Sequence, residues 1–202
     1  MLNANNGAPN GGARERPAAR GEANGLNGVV VFGVIEARWA VETLGFTPAE
    51  LLVQPWSLAT YMFIHANFLH LAVNMIVLVL FGTLLEKYWG TRRWLVFYVI
   101  AGLGGALFSL LAAPLVGANT AVIGASGAVY GLVMAFGLQW PDRKLYVWGV
   151  LPVKAKYLVG FIVAITVLAA IGMGSESGNT AHWAHLGGLI LGALVFLGQD
   201  RG

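Results

Sequence analysis

All four histidines of the chain stand among polar residues set in apolar sequence. His65, His70 and Asn74 fall in one stretch, His182 and His185 in another, and Ser126 lies between them in Gly124-Ala125-Ser126-Gly127. Hydroxyl and imidazole together can do nucleophilic catalysis: a serine oxygen attacks a carbonyl when a base within hydrogen-bond reach takes its proton. At a helix start, free N–H groups and the helix dipole favour negative charge, so the Ser126 N–H can steady an oxyanion. His185 is the candidate base, because small residues surround both partners. Gly127 and Gly131 stand four apart on one segment, as Gly188 and Gly192 do on the other. Such faces let two helix backbones approach closely, and only close helices bring a serine hydroxyl to an imidazole. His70 and Asn74, four apart, share one helix face, and so do His182 and His185, three apart. Two blander readings compete. A serine in a membrane helix often bonds back to a carbonyl one turn earlier, and clustered imidazoles suit zinc or copper. No carboxylate or thiol accompanies the histidines at that depth, so no metal is expected. The absence of cysteine also excludes thiol nucleophiles, disulfides and iron–sulfur clusters.

The elements that position these residues must be membrane helices. The chain has 202 residues, 57% hydrophobic and 10% charged, whereas a soluble domain is about 45–50% apolar and about 25% charged. Too few polar groups remain to cover a water-facing globule, which excludes a soluble enzyme, a nucleic-acid module and a disordered chain. No Asp, Glu, Lys or Arg interrupts the stretches from Glu50 to Glu86, Arg93 to Asp142, Lys156 to Glu176 or Glu176 to Asp200. About 20 helical residues cross a hydrocarbon core of about 30 Å, and only helices satisfy their own amides there. The expected spans are 67–85, 94–112, 124–139, 157–173 and 182–198. A further span at 28–45 carries Glu36, Arg38 and Glu42, with an interfacial helix as its alternative. Residues 1–27 have no apolar core, so they read as a disordered tail and not as a signal peptide.

Orientation follows the basic residues. All twelve except Arg38 fall in the tail, in the connections 86–93 and 140–156, or after the last span. Six spans with both termini cytoplasmic satisfy that distribution. The topology rests on Lys and Arg alone, yet it brings His65, His70, Asn74, Ser126, His182 and His185 to the outer half of the bilayer, where polar side chains are costly and usually functional.

The pattern His65-x4-His70-x3-Asn74, then Gly124-Ala125-Ser126-Gly127, then Ala184-His185-x2-Gly188-x3-Gly192 resembles the rhomboid intramembrane serine proteases, from about Gln54 to Gly192. The resemblance implies an all-α, six-transmembrane helical bundle over 28–199. It implies Ser126 as nucleophile and His185 as general base in a dyad without an acid. By the same likeness Tyr130 stacks on that histidine, and His70 and Asn74 join the Ser126 N–H in the oxyanion hole. Gly124 matches the glycine of the nucleophile motif, and Glu86 a structural glutamate. Trp56-Ser57 departs from the Trp-Arg common in the family's first external loop. The implied activity is hydrolysis of peptide bonds in or near transmembrane segments of other membrane proteins, without cofactor, metal or nucleic acid. Substrates would enter beside the fifth span, with 174–181 as a cap and Glu176 outside the chemistry. The compact six-span form suggests a bacterial plasma membrane. The alternative is a catalytically inactive rhomboid-like protein that binds membrane helices. A small transporter or metal carrier ranks last, since no internal repeat appears.

Overall fold

A computed structural model describes residues 29–31, 34–36, 38–147, 149–172 and 179–199. The long apolar stretches fold as helices. α3 (Phe68–Val77), a π-helical turn (Leu78–Gly82) and α4 (Thr83–Trp89) run as one apolar rod. Asn67 caps its start, its side chain accepting from the His70 N–H at 2.8 Å. Gly90 ends it at φ +82, a left-handed conformation that glycine adopts without a Cβ penalty. The chain then turns into α5 (Thr91–Val116). At this turn Thr91 Oγ1 donates to Glu86 Oε1 at 2.8 Å and the Gly90 N–H to the Glu86 carbonyl at 2.8 Å. Glu86 thus clasps the connection.

α6 (Ser126–Gln139) leads through a hairpin, β4 (Lys144–Val147) and β5 (Leu151–Lys154), into α7 (Ala155–Ala170), and α8 (Asn179–Gln199) follows. Among the described residues three stretches are long and apolar enough to cross a membrane, Phe68–Trp89, Thr91–Val116 and Thr180–Gly198, while α6 and α7 are shorter apolar helices. Side chains such as Leu80, Leu111, Phe161 and Leu194 point outward and exposed, as lipid contact requires. Helices thus lie at five of the six expected positions, and three of them reach spanning length.

The expected helix over 28–45 does not form. β1 (Val29–Val31) pairs antiparallel with β2 (Val34–Glu36) and with β3 (Ile64–His65). Among the described residues of 28–45 only α1 (Arg38–Leu44), seven residues, is helical, a rise of about 10 Å against the about 30 Å of a bilayer core; a single further turn, α2 (Ser57–Thr60), precedes β3. β-branched residues dominate Val29–Val31 and Val34-Ile35 and favour strands, and Glu36, Arg38 and Glu42 break the apolar run. The tail 1–27 and residues 174–178 with Glu176 lie outside the described residues.

α8 packs chiefly on α5 and α6, and its glycines make this possible. A Cβ on Gly188 would overlap the Gly127 carbonyl, and one on Gly192 would come within 2.7 Å of Gly131 Cα. Two core clusters lie along this three-helix centre. Phe46, Tyr61, Ala106, Val122, Ala128 and Ala184 fill the end near Ser126. Leu85, Phe97, Leu132, Phe136 and Phe196 fill the end near the hairpin.

Candidate active site

The site is built at the start of α6. The loop ahead of it is fixed from behind. Phe46 and Val122 exchange backbone hydrogen bonds at 3.0 and 2.8 Å, and the Gly124 N–H donates to the Tyr61 carbonyl at 2.9 Å. Tyr61 is fully buried, its hydroxyl donating to the Gly102 carbonyl at 2.7 Å. The Ala125 N–H donates to His65 Nε2 at 3.4 Å. His65 is 2% exposed and belongs to β3, which β1 pairs. Burial, and after it the neighbouring His70, push the His65 imidazole down to about 4. A neutral ring that accepts at Nε2 carries its proton on Nδ1.

Gly124 meets the site at φ +112, and a Cβ there would lie 2.9 Å from His70 Nε2. Only glycine suits both the backbone conformation and the space. The ring of His70 therefore rests against the Gly124 backbone. Its Nδ1 accepts the Ala66 N–H at 3.3 Å, so the neutral ring holds its proton on Nε2, beside Gly124. Asn74, buried one turn along α3, donates one amide hydrogen to the His70 carbonyl at 2.8 Å, leaving its second N–H for another acceptor.

Ser126 opens α6 without a side-chain cap, so the first N–H groups of the helix are open to a ligand. Ser126 Oγ stands 2.7 Å from His185 Nε2 on α8. Tyr130, one turn beyond Ser126, stacks on the His185 ring with centroids 4.3 Å apart and planes at 10°. Thr166 of α7 faces the Tyr130 hydroxyl. The close approach of Gly127 to Gly188 sets the distance between Ser126 and His185, each lying one turn or less away. A serine hydroxyl within hydrogen-bond reach of an imidazole can lose its proton to it.

His70, Asn74, Ser126 and His185 line one end of a cavity of about 300 Å³, and Val77, Val133 and Ile162 line the other. The cavity thus joins a polar wall to an apolar trough between α3, α6 and α7. Ser126, His185, His70, Asn74, Tyr130 and Gly124 come together. Gly127, Gly131, Gly188 and Gly192 lie in the helix seam beneath them. His182 is edge-on to His185 with centroids 6.0 Å apart but does not line the cavity, and Glu86 lies at the far end of its helix. Among the described residues no group of three or more His, Asp or Glu is placed to hold a metal ion. The sequence reading leaves His65 without a role and passes over Tyr61. The spacing His65-x4-His70 was the available signal for the first; nothing local marks the second.

The departure at Trp56-Ser57 is absorbed locally. Trp56 Nε1 donates to the Thr43 carbonyl at 2.7 Å, and the buried Ser57 hydroxyl donates to the Gln54 carbonyl at 2.6 Å. This pair holds its loop against α1 without an arginine.

Residues 52–198 match the Rhomboid domain. Among curated relatives, RHOMBOID-like protein 6, mitochondrial, of Arabidopsis thaliana is 34% identical over 155 residues, 75% of this chain and 47% of the relative. Rhomboid protease GluP of Bacillus subtilis is 32% identical over 138 residues, 68% of this chain and 24% of the relative. Rhomboid protease AarA of Providencia stuartii is 31% identical over 154 residues, 69% of this chain and 54% of the relative. The chain spans about half the length of these relatives or less.

Proposed function

The chain belongs to the rhomboid family and is an integral membrane protein, and from that membership and the cavity's geometry we propose that it is an intramembrane serine endopeptidase. Two relatives, GluP and AarA, are named proteases. The observation that carries the reading is the 2.7 Å contact of Ser126 Oγ with His185 Nε2 on the polar wall of the cavity.

In this reading, neutral His185 takes the Ser126 proton as Oγ attacks the scissile carbonyl. The charge that develops on the carbonyl oxygen meets the Ser126 N–H, the His70 Nε2–H and the second amide hydrogen of Asn74. The imidazolium then protonates the leaving amine, and water, activated by the same ring, frees the acyl-enzyme. No carboxylate holds His185, so the Tyr130 face fixes its plane. The apolar trough of Val77, Val133 and Ile162 accepts side chains of a membrane-helix substrate that unwinds locally beside α7.

The distribution of basic residues supports a reading with the hairpin end on the cytoplasmic side. The fourteen residues of α6 rise about 21 Å, about 9 Å short of a hydrocarbon core of about 30 Å. With its hairpin end at the inner boundary, Ser126 lies below the outer one, and the cavity admits water to it. Pairing of β1 with β3 brings Val29 to the Ser126 end, so the reading keeps a cytoplasmic hairpin end and carboxyl terminus but not the expected cytoplasmic amino terminus. The relatives come from plant and bacterial sources, so it does not keep the expected bacterial plasma membrane either.

The test is a reporter membrane helix incubated in liposomes with wild type and with Ser126→Ala, alongside labelling by a fluorophosphonate probe. Cleavage and labelling that both vanish in Ser126→Ala are expected. Wild type that neither cleaves nor labels is the result for a helix-binding relative without catalysis, and it overturns the reading.

A further inference from the structure

The hairpin between α6 and α7 has no part in the proposed chemistry. β4 and β5 pair with Lys144 opposite Lys154 and Val147 opposite Leu151. Gly149, at φ +74, makes the turn, its N–H donating to the Tyr146 carbonyl at 3.1 Å. A lone two-stranded hairpin is marginal in water, and this one carries an apolar tip. Val150 is 78% exposed, Tyr146 65% and Leu151 57%.

The root has the opposite character. Arg143 and Lys144 enter it, and Lys154 and Lys156 leave it. Asp142 pairs with Lys154 at 3.0 Å and with Lys156 at 2.9 Å, one carboxylate among four cations. The root is fixed to the bundle end. The Ala155 N–H donates to the Arg143 carbonyl at 2.9 Å, the Lys156 N–H to the Pro141 carbonyl at 3.0 Å, and Leu145 packs on the nearby core cluster. Exposed Tyr88 and Tyr157 stand at the same end, the residue type that gathers at a membrane interface.

Standing upright, a four-residue strand rises about 13 Å, beyond a headgroup layer of about 5–7 Å. That posture would hold Val150 and Leu151 in water. Laid along the surface, the strands keep the tip at the acyl boundary and the root cations among phosphates. We propose that this hairpin is a membrane-surface anchor: its tip enters the leaflet opposite the Ser126 end, and its root binds anionic lipid headgroups. Basic juxtamembrane segments are drawn to such lipids. The inference rests on the membrane location and not on the proposed proteolysis.

The chain has no cysteine, so Val150→Cys in the full chain accepts a single environment-sensitive fluorophore. The labelled protein is placed, one copy per nanodisc, in phosphatidylcholine alone or mixed with phosphatidylglycerol. Expected are a blue-shifted emission, quenching by lipids carrying a nitroxide near the headgroup, and stronger quenching with phosphatidylglycerol. In Lys144→Gln/Lys154→Gln the gain from phosphatidylglycerol falls at least about two-fold. Water-like emission without quenching in both lipids overturns the anchor. Quenching equal in the two lipids overturns the role of the cations. A blue shift that appears only with two copies per disc assigns the tip to a second copy of the chain and overturns the proposal as well.

Discussion

At the residue scale, the proposed chemistry separates groups that react from groups that hold them. Ser126→Ala and His185→Ala are expected to reduce reporter cleavage to background. Asn74→Ala removes one oxyanion donor, a loss of about 2.7–4 kcal/mol or roughly 100- to 1,000-fold in rate, so slow cleavage remains measurable. An Asn74→Ala protein as fast as wild type would remove that amide from the oxyanion site. His65 acts one step further back, through the Ala125 N–H. Losing one such hydrogen bond costs about 0.5–1.5 kcal/mol, so His65→Ala should slow cleavage roughly 2- to 10-fold. His65→Gln keeps an acceptor and should lie between the two. The pH dependence has a definite sign. With its folded value near 4 and an unfolded imidazole near 6.5, the unfolded chain takes up the proton first. Stability is therefore whole above about pH 6.5 and is lost as pH falls through about 4. Thermal unfolding in detergent should show wild type losing more stability over that window than His65→Gln, and equal losses would contradict a neutral buried ring. Ser126 and His185 were legible because hydroxyl and imidazole have few reasons to lie in apolar sequence. Tyr61 was not, because the carbonyl it offers Gly124 could come from any residue type, and its hydroxyl's partner, the Gly102 carbonyl, lies 41 residues away along the chain.

At the element scale, helix contact decides whether the reacting atoms meet. Gly188 leaves no room for a methyl against the Gly127 carbonyl, and overfilling a packed site costs about 1–3 kcal/mol. Gly188→Ala should lower the unfolding temperature and abolish cleavage together, since parting α6 from α8 parts Ser126 from His185. Gly160 on α7 faces open space. Gly160→Ala should therefore be neutral or stabilising by up to about 1 kcal/mol, and equal damage from both substitutions would mean the seam is not what sets the site. The four-residue glycine spacing announced this seam. The π-helical turn Leu78–Gly82 was not announced, because its residues are as apolar as the turns on either side. There Thr83 Oγ1 bonds back to the Val79 carbonyl at 2.6 Å, and the indole of Trp94 closes on Gly82. The segment 28–45 misled for a related reason. Apolar content says that a stretch avoids water, but β-branching favours strands over Val29–Val31 and Val34–Glu36, with β1 pairing β3, and the charged Arg38 and Glu42 fall in the short helix that follows.

At the scale of the whole molecule, charge distribution and polar placement bear on one another. Among the described residues every Lys and Arg except Arg38 lies at the end that holds the α4–α5 turn, the hairpin and the Arg93–Trp89 cation–π contact, while the cavity's polar wall lies at the opposite end. Positive charge stays cytoplasmic, so the proposed orientation turns the cavity outward and gives its water an external source. Asn119, exposed in the loop before α6, and Lys87, exposed beside the α4–α5 turn, mark the two ends. In a chain without cysteine, Asn119→Cys and Lys87→Cys can each be probed with a membrane-impermeant maleimide on sealed, right-side-out vesicles. Asn119→Cys should label from outside, and Lys87→Cys only after the membrane is opened. The reverse pattern would turn the cavity toward the cytoplasm, so that substrates would have to unwind at the inner end of their spans, and the reading of the basic residues would fail with it.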